Sequence, residues 1–264
     1  MEGLVQGKVV IITGAGSGVG RAASLLFARH GAKVVSADVD SMAVDATVAE
    51  VKAEGGTAVA KTCNVADPAA VEALVKSAVE TFGRLDIMYN NAGITIQTAP
   101  GQGSRHFVDS AQADIDRLYA VNVGGVINGC KAAIRQFEAQ GGGGVIVNTA
   151  SVAGLIGYGS VIYGSTKGAV TTLTRALALE IAGEGIRINS VCPAGMPTKF
   201  MGVDLSSSQA ARTSMGANHP LGRVIEPIEC ANAALFLASD LASNITGVNL
   251  PVDGGVSAGV QTKR

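Results

Sequence analysis

The sequence predicts one α/β domain, a doubly wound sheet of seven mostly parallel strands with helices on both faces. Two patterns predict it. Short apolar, β-branched runs alternate with stretches of helical period from end to end of the chain. A cluster of glycines, Gly14, Gly16, Gly18 and Gly20, falls between the first apolar run and the first helical stretch, where such a sheet turns from strand to helix. The 264 residues hold no repeat, no Pro/Ser-rich linker and no compositional break, so 1–264 reads as a single domain.

Lys8-Val-Val-Ile-Ile-Thr13 is the first strand, 8–13, apolar on both faces as a buried parallel strand must be. Arg21–Arg29 spaces its apolar residues for a helix over about 18–30. The second strand, 32–37, ends in Asp38-Val39-Asp40 and leads into a helix over 41–54, with Asp38 or Ser41 as candidate N-cap. The alternation continues through strand 57–62, helix 67–82, strand 85–89 and one long helix over 111–138. It ends with strand 144–149, helix 163–183, strand 186–192, helix 227–239 and strand 247–252. The four glycines 141–144 are a helix-to-strand connection. Residues 94–110 and 193–226 are long connections that begin at strand ends. The second mixes Met196, Phe200, Met201 and Met215 with small polar residues and reads as a substrate lid, or else as plain surface loop.

In such folds ligands sit outside the C-terminal ends of the strands. That rule gathers the 13–20 turn, Asp38, Asn64, Asn90–Gly93, Ser151 and the Pro193 segment along one edge. Glycines after the first strand let the backbone approach a pyrophosphate, which rests against the amides of a helix N-terminus. Strand, glycine turn and helix in this order make a dinucleotide-binding Rossmann fold. Asp38, about twenty residues further on, is placed to accept from the adenosine ribose hydroxyls and to repel a 2′-phosphate. An NADP site would want a basic residue at Ser17 or Val39 and has none, so NAD is the expected cofactor, with NADP second.

Tyr163 and Lys167 are one helical turn apart on one face, twelve residues after Ser151. Tyrosine, with a pKa of about 10, is too weak an acid to serve as a base at neutral pH, and a neighbouring ammonium favours its phenolate. A serine hydroxyl from a neighbouring strand end can bond the same substrate oxygen. Any helix can carry Tyr-x-x-x-Lys by accident; the glycine cluster in the same chain makes it an acid–base pair.

Hydrophobic residues make up 47% of the chain, enough to cover a sheet on both faces, and the net charge of −1 suggests neither nucleic acid nor an anionic membrane as partner. With no leader-like segment and no run long enough to span a bilayer, a cytoplasmic protein is expected. Cys63, Cys130, Cys192 and Cys230 share no metal or redox spacing and read as buried small residues. His30, His106 and His219 are isolated, so no metal is expected.

Together these motifs resemble the short-chain dehydrogenase/reductase family, over Gly7 to Gly255. Thr13–Gly20 matches its Thr-Gly-x-x-x-Gly-x-Gly motif and Asn90–Gly93 its Asn-Asn-Ala-Gly motif. Thr246–Gly255 matches its C-terminal Thr-Gly…Val-Asp-Gly-Gly pattern. The resemblance implies catalytic roles for Asn122, Ser151, Tyr163 and Lys167. Asn122 would order a water linking the lysine to solvent, Ser151 polarise the substrate oxygen, and Tyr163 transfer the proton. Lys167 would lower the phenol's pKa and bond the nicotinamide ribose. The cofactor contacts implied are Gly14, Ser17, Gly18, Val19, Gly20, Asp38, Asn64, Val65, Asn91, Ala92, Gly93, Tyr163, Lys167, Pro193, Met196 and Thr198.

Three departures stand out. Asn64-Val65 replaces the usual Asp-Val, and the amide carbonyl can still accept from adenine. The Pro-Gly turn reads Pro193-Ala194-Gly195, which leaves its backbone conformation open. The Ser-to-Tyr interval is one residue shorter than in many members. The family also implies a homo-oligomer, expected as a tetramer through helices 111–138 and 163–183. Leu155, Ile156, Tyr158, Met196, Phe200 and Met201 suggest a hydrophobic or alicyclic secondary alcohol or ketone, whereas Arg105 and His106 offer a carboxylate or acyl-thioester handle instead. The fold also hosts epimerases, dehydratases and redox-sensing binding proteins. The intact Asn-Ser-Tyr-Lys set favours the dehydrogenase.

Overall fold

A computed structural model describes residues 3–96, 106–201, 205 and 207–259, with the side chain of residue 201 excepted. Arg105, Gly202, Ser206 and the Met201 side chain therefore lie outside the described residues. The seven strands are β1 (Val9–Thr13), β2 (Lys33–Asp38), β3 (Thr57–Thr62), β4 (Ile87–Asn90), β5 (Gly144–Thr149), β6 (Ile186–Pro193) and β7 (Asn249–Val252). They form one sheet in the order β3-β2-β1-β4-β5-β6-β7, every pair parallel. The chain winds outward to β3, returns to lay β4 beside β1, and winds outward again. The strand order thus reverses between β1 and β4, where an open α/β sheet leaves its ligand crevice.

Alternation along the strands divides the core. Val10 and Ile12 of β1 point into one cluster with Phe27, Val34, Leu235 and Leu237, beneath α1 (Gly18–Arg29), α2 (Ser41–Ala53) and α8 (Pro227–Ala238). Val9 and Ile11 point into the other with Val35, Leu74, Met88, Phe137 and Ile188. That second face carries α3 (Pro68–Phe82), α5 (Gly125–Gln140) and α6 (Val161–Ile181). A strand covered on both sides cannot alternate polar and apolar residues, which is why β1 is apolar throughout. The four cysteines are free and buried. Among the described residues no helix is long and apolar enough to cross a membrane, and no His/Cys/Asp/Glu cluster could hold a metal.

Three sequence expectations are corrected. The long helix over 111–138 is broken: α4 (Gln112–Tyr119) passes through a π turn, Ala120–Gly124, into α5. The N-cap of α2 is neither Asp38 nor Ser41 but Asp40, whose carboxylate accepts from the Ala43 amide at 3.1 Å. The region 193–226 holds an additional helix, α7 (Gln209–Gly216), capped by the Ser208 side chain. The glycine run does connect α5 to β5, at the sheet edge opposite the crevice. Gly141, Gly142 and Gly143 all take positive φ there, a path other residues rarely follow.

Candidate active site

The glycine turn is closely fitted to its surroundings. A Cβ on Gly14, which has φ +66°, would stand 2.8 Å from the Ala92 Cα, and one on Gly20 would stand 2.1 Å from the Gly14 carbonyl oxygen. Backbone thus packs on backbone where α1 leaves the turn. Ser17, the N-cap of α1, makes no side-chain capping bond, so the first-turn amides of α1 have no partner from it. Such amides are donors suited to a phosphate. The Asn90–Gly93 segment braces the turn from the side. Thr13 Oγ1 accepts from the amides of Asn91 and Ala92 at 3.0 and 3.1 Å, and Asn91 Nδ2 donates to the Thr13 carbonyl at 3.0 Å.

Asp38, at the end of β2, closes the far side. Its carboxylate accepts from the Gly16 amide at 2.8 Å and from the Asp40 amide at 3.0 Å, which fixes it against the glycine turn. Val39 beside it is 71% exposed. Asn64 is exposed, and its carbonyl accepts from the Ala66 amide at 3.1 Å, with one lone pair left for a further donor. Val65 is buried over Gly125.

The candidate acid–base residues lie beyond β5. Ser151 caps a short 3-10 turn, Val152–Gly154, accepting from the Ala153 amide and donating to the Pro193 carbonyl, each at 3.2 Å. Tyr163, in the first turn of α6, is placed so that the Ser151 side chain draws its pKa down. Lys167 is buried; its Nζ donates to the Thr149 carbonyl at 2.8 Å and lies 5.7 Å from the Tyr163 ring centroid. Asn122 occupies the π turn with its side chain wholly buried. Its Oδ1 accepts from the Ile94 amide at 2.8 Å, and its Nδ2 donates to the Ile94 carbonyl at 2.9 Å and to Thr166 Oγ1 at 3.2 Å. A Cβ on Gly93 would lie 3.3 Å from Asn122 Oδ1 and 3.4 Å from Lys167 Nζ, so the three meet at one point. The sequence-selected quartet is therefore a spatial cluster on the crevice side of the sheet.

The electrostatics differ from the expectation that Lys167 lowers the phenol. Burial pushes Tyr163 up to about 12, against a downward pull from the Ser151 hydrogen bond, and Lys167 is not among the groups that move it. Burial likewise presses Lys167 down to about 8. An ammonium held over a ring face and itself poorly solvated does little for a distant neutral hydroxyl; its attraction grows once the phenol loses its proton.

The Pro193 segment is settled without a glycine: Ala194 is buried, and no non-glycine among the described residues has positive φ. Thr198 lies over the glycine turn, its Cγ2 at 3.8 Å from where a Gly18 Cβ would be. Met196 packs against the core cluster that includes α8, its sulfur 3.8 Å from Cys230 Sγ. Phe200 meets the Tyr163 ring edge-on, with centroids 5.8 Å apart. Leu155 is partly buried against one core cluster and Tyr158 against the other. Sequence reasoning missed Thr149, whose carbonyl holds Lys167 and whose hydroxyl donates at 3.1 Å toward Tyr89 Oη and Asn91 Oδ1. It also assigned no work to the Thr13 hydroxyl. A threonine at a strand end carries no spacing signal, so neither role was legible in advance.

A family model described as Enoyl-(Acyl carrier protein) reductase matches residues 14–257. Meso-2,3-butanediol dehydrogenase of Serratia marcescens is 42% identical over 252 residues, 95% of each chain. Cyclohexanol dehydrogenase of Acinetobacter sp. (strain SE19) is 39% identical over 264 residues, 98% of each. The crystal structure of a short-chain type dehydrogenase/reductase from Mycobacterium marinum aligns with a TM-score of 0.85 at 32% identity, covering 97% of both chains.

Proposed function

The chain belongs to the short-chain dehydrogenase/reductase family, and from that premise we propose that it is an NAD-preferring dehydrogenase of hydrophobic or alicyclic secondary alcohols, with Tyr163 as acid–base group. Membership makes it a nicotinamide-dependent oxidoreductase acting on CH–OH groups. The observation that carries the finer reading is the convergence of Ser151, Tyr163 and Lys167 beyond β5, beside a glycine turn whose packing and free helix amides suit a dinucleotide. The two named relatives, each a dehydrogenase of a secondary alcohol, support the substrate class.

When bound, the nicotinamide accepts or donates hydride at its C4. The protein supplies the proton path and the geometry. Ser151 orients and polarises the substrate oxygen by hydrogen bonding, and Tyr163 Oη takes the hydroxyl proton in oxidation or returns it in reduction. Lys167, near the ring, stabilises the phenolate as it forms and holds the ribose side of the cofactor. Asn122, anchored to Ile94 and Thr166, would order a water that links this lysine to solvent. Phe200 over Tyr163 shields the reacting centre from water, as the leading part of a lid over about 193–226. NAD preference rests on the Asp38 carboxylate fixed at the glycine turn with no basic side chain at Ser17 or Val39. We place the active form as a cytoplasmic homotetramer.

Incubation with NAD and a panel of acyclic and cyclic secondary alcohols, followed by NADH absorbance, tests the reading. Oxidation of at least one cyclic or vicinal alcohol is expected. Reduction of an enoyl thioester with no alcohol oxidised would overturn it.

A further inference from the structure

The face of α6 that carries Tyr163 and Lys167 continues as Val170, Thr171 and Thr174, and the two threonines are 2% and 0% exposed. Buried threonine is a poor choice for a helix face that only needs to cover a sheet, since valine has the same shape without a hydroxyl to satisfy. Each hydroxyl is satisfied within the helix, Thr171 to the Gly168 carbonyl and Thr174 to the Val170 carbonyl. What remains is acceptor capacity pointed at the sheet, and the sheet answers it. Asn148 of β5, 0% exposed, donates Nδ2 to Thr174 Oγ1 at 3.0 Å and accepts on Oδ1 from Asn90 Nδ2 of β4 at 3.0 Å. Asn90 and Asn148 are register partners in adjacent strands, and the same transverse row continues through Ser190 of β6 to Asn249 of β7. Asn249 Nδ2 then donates to the Thr171 carbonyl at 3.2 Å, so the row touches α6 at two places. The Ser151 turn is fitted to the same helix: a Cβ on Gly154 would lie 2.6 Å from the Lys167 carbonyl carbon.

We propose that the buried chain Asn90–Asn148–Thr174 is a register lock, a set of positioning residues that holds α6 at one axial setting and so fixes Tyr163 and Lys167 against Ser151. An apolar helix face tolerates sliding and rotation; directional bonds to a strand admit one setting. Asn148 lies three residues before Ser151 on the same strand path, so the lock references the helix to the very element that delivers the serine. This inference rests on the acid–base role proposed for Tyr163.

The test uses Thr174→Val, Thr174→Ser and the paired variant Asn148→Leu/Thr174→Val, which removes both partners together and leaves Asn90 its contact with Cys130. Expected for Thr174→Val and the pair is a fall in kcat of about 10- to 100-fold with NAD affinity unchanged, the size of effect a small misplacement of catalytic groups produces. The acidic limb of the pH–kcat/KM profile should shift, amide exchange over 161–168 should quicken, and Thr174→Ser should restore all three. A folded pair with parental kcat, pH profile and exchange, lowered only in Tm, overturns the lock. Tyr163→Phe run alongside separates the two readings. Full activity there would remove the acid–base assignment, while exchange over 161–168 would still judge the lock.

Discussion

At the scale of single residues, the acid–base pair proposed at Tyr163 and Lys167 gives two measurable expectations. Tyr163→Phe should lower kcat by about 10²–10⁴-fold, the usual cost of removing a general acid–base group, with NAD affinity within a few-fold of the parent. Retention of more than roughly a tenth of kcat would refute the assignment. Burial depresses Lys167 from 10.5 to about 8, so between those values the unfolded chain holds a proton that the folded chain does not. Stability contributed by this group therefore rises with pH across that window. Tyr163, raised from 10.0 to about 12, and the buried Cys63 and Cys130, raised from 9.0 to about 11 and about 12, act in the opposite sense at higher pH. Comparison with Lys167→Met isolates the lysine: Tm of the parent minus that of the variant should grow more positive from about pH 7.5 to about 9.5. A flat difference would show the lysine to be solvated. Cofactor choice is the role proposed for Asp38. Asp38→Ala with Val39→Arg should shift the NAD/NADP ratio of kcat/KM by about tenfold or more toward NADP, about 1.4 kcal/mol, by removing repulsion of the 2′-phosphate and adding a cation. Comparable kcat/KM values for both cofactors in the parent would remove the assignment.

Elements with a strong period were legible in the sequence, and those whose shape depends on a tertiary partner were not. β3 and β5 run over the expected residues and the other strands begin or end within two, because a buried parallel strand advertises itself as an apolar run between glycines and polar turns. The π turn at Ala120–Gly124 was hidden because it arises from Asn122 turning to both backbone groups of Ile94, a contact between segments far apart in the chain. Gly124-Gly125 after two β-branched residues was the local trace of weak helix there. Of the proposed catalytic quartet, Ser151, Tyr163 and Lys167 were legible from their spacing and chemistry beside the glycine cluster, and Asn122 only through the family motif; their hydrogen bonds, and Thr149 with them, required the fold. The segment proposed as a lid shows the same division. Its first part has Phe200 against Tyr163, while its distal part is tied down by Arg212–Glu226 and Arg223–Glu229 ion pairs, by the buried His219, and by the Leu221 amide on the Gly254 carbonyl. Hydrogen exchange should therefore find amides 207–218 protected on binding cofactor and substrate, with 219–226 protected already in the free protein. Equal, high protection of both stretches in the free protein would make the segment a fixed wall.

At the scale of the whole molecule, the expected tetramer depends on what the outer faces of α5 and α6 present. Much of the apolar surface of α6 belongs to the core: Val170 and Ile181 are buried, and Leu173 and Leu177 are partly buried against it. A different set faces outward, with Leu179 at 88% exposure, Val161 at 63% and Ile127 of α5 at 37%. Single exposed leucines are ordinary on a monomer, so the inference rests on their sharing the helices that the family resemblance assigns to association. Light scattering at micromolar concentration should give four chains per particle, and Leu179→Arg, which places a charge in the proposed contact, should give a smaller particle with unchanged secondary structure. Because association of the native state stabilises it by mass action, the parent's Tm should also rise with protein concentration, whereas that of the variant should not. A parent that scatters as a monomer, with a Tm independent of concentration, would leave those apolar side chains as solvated surface and remove association from the account of this enzyme.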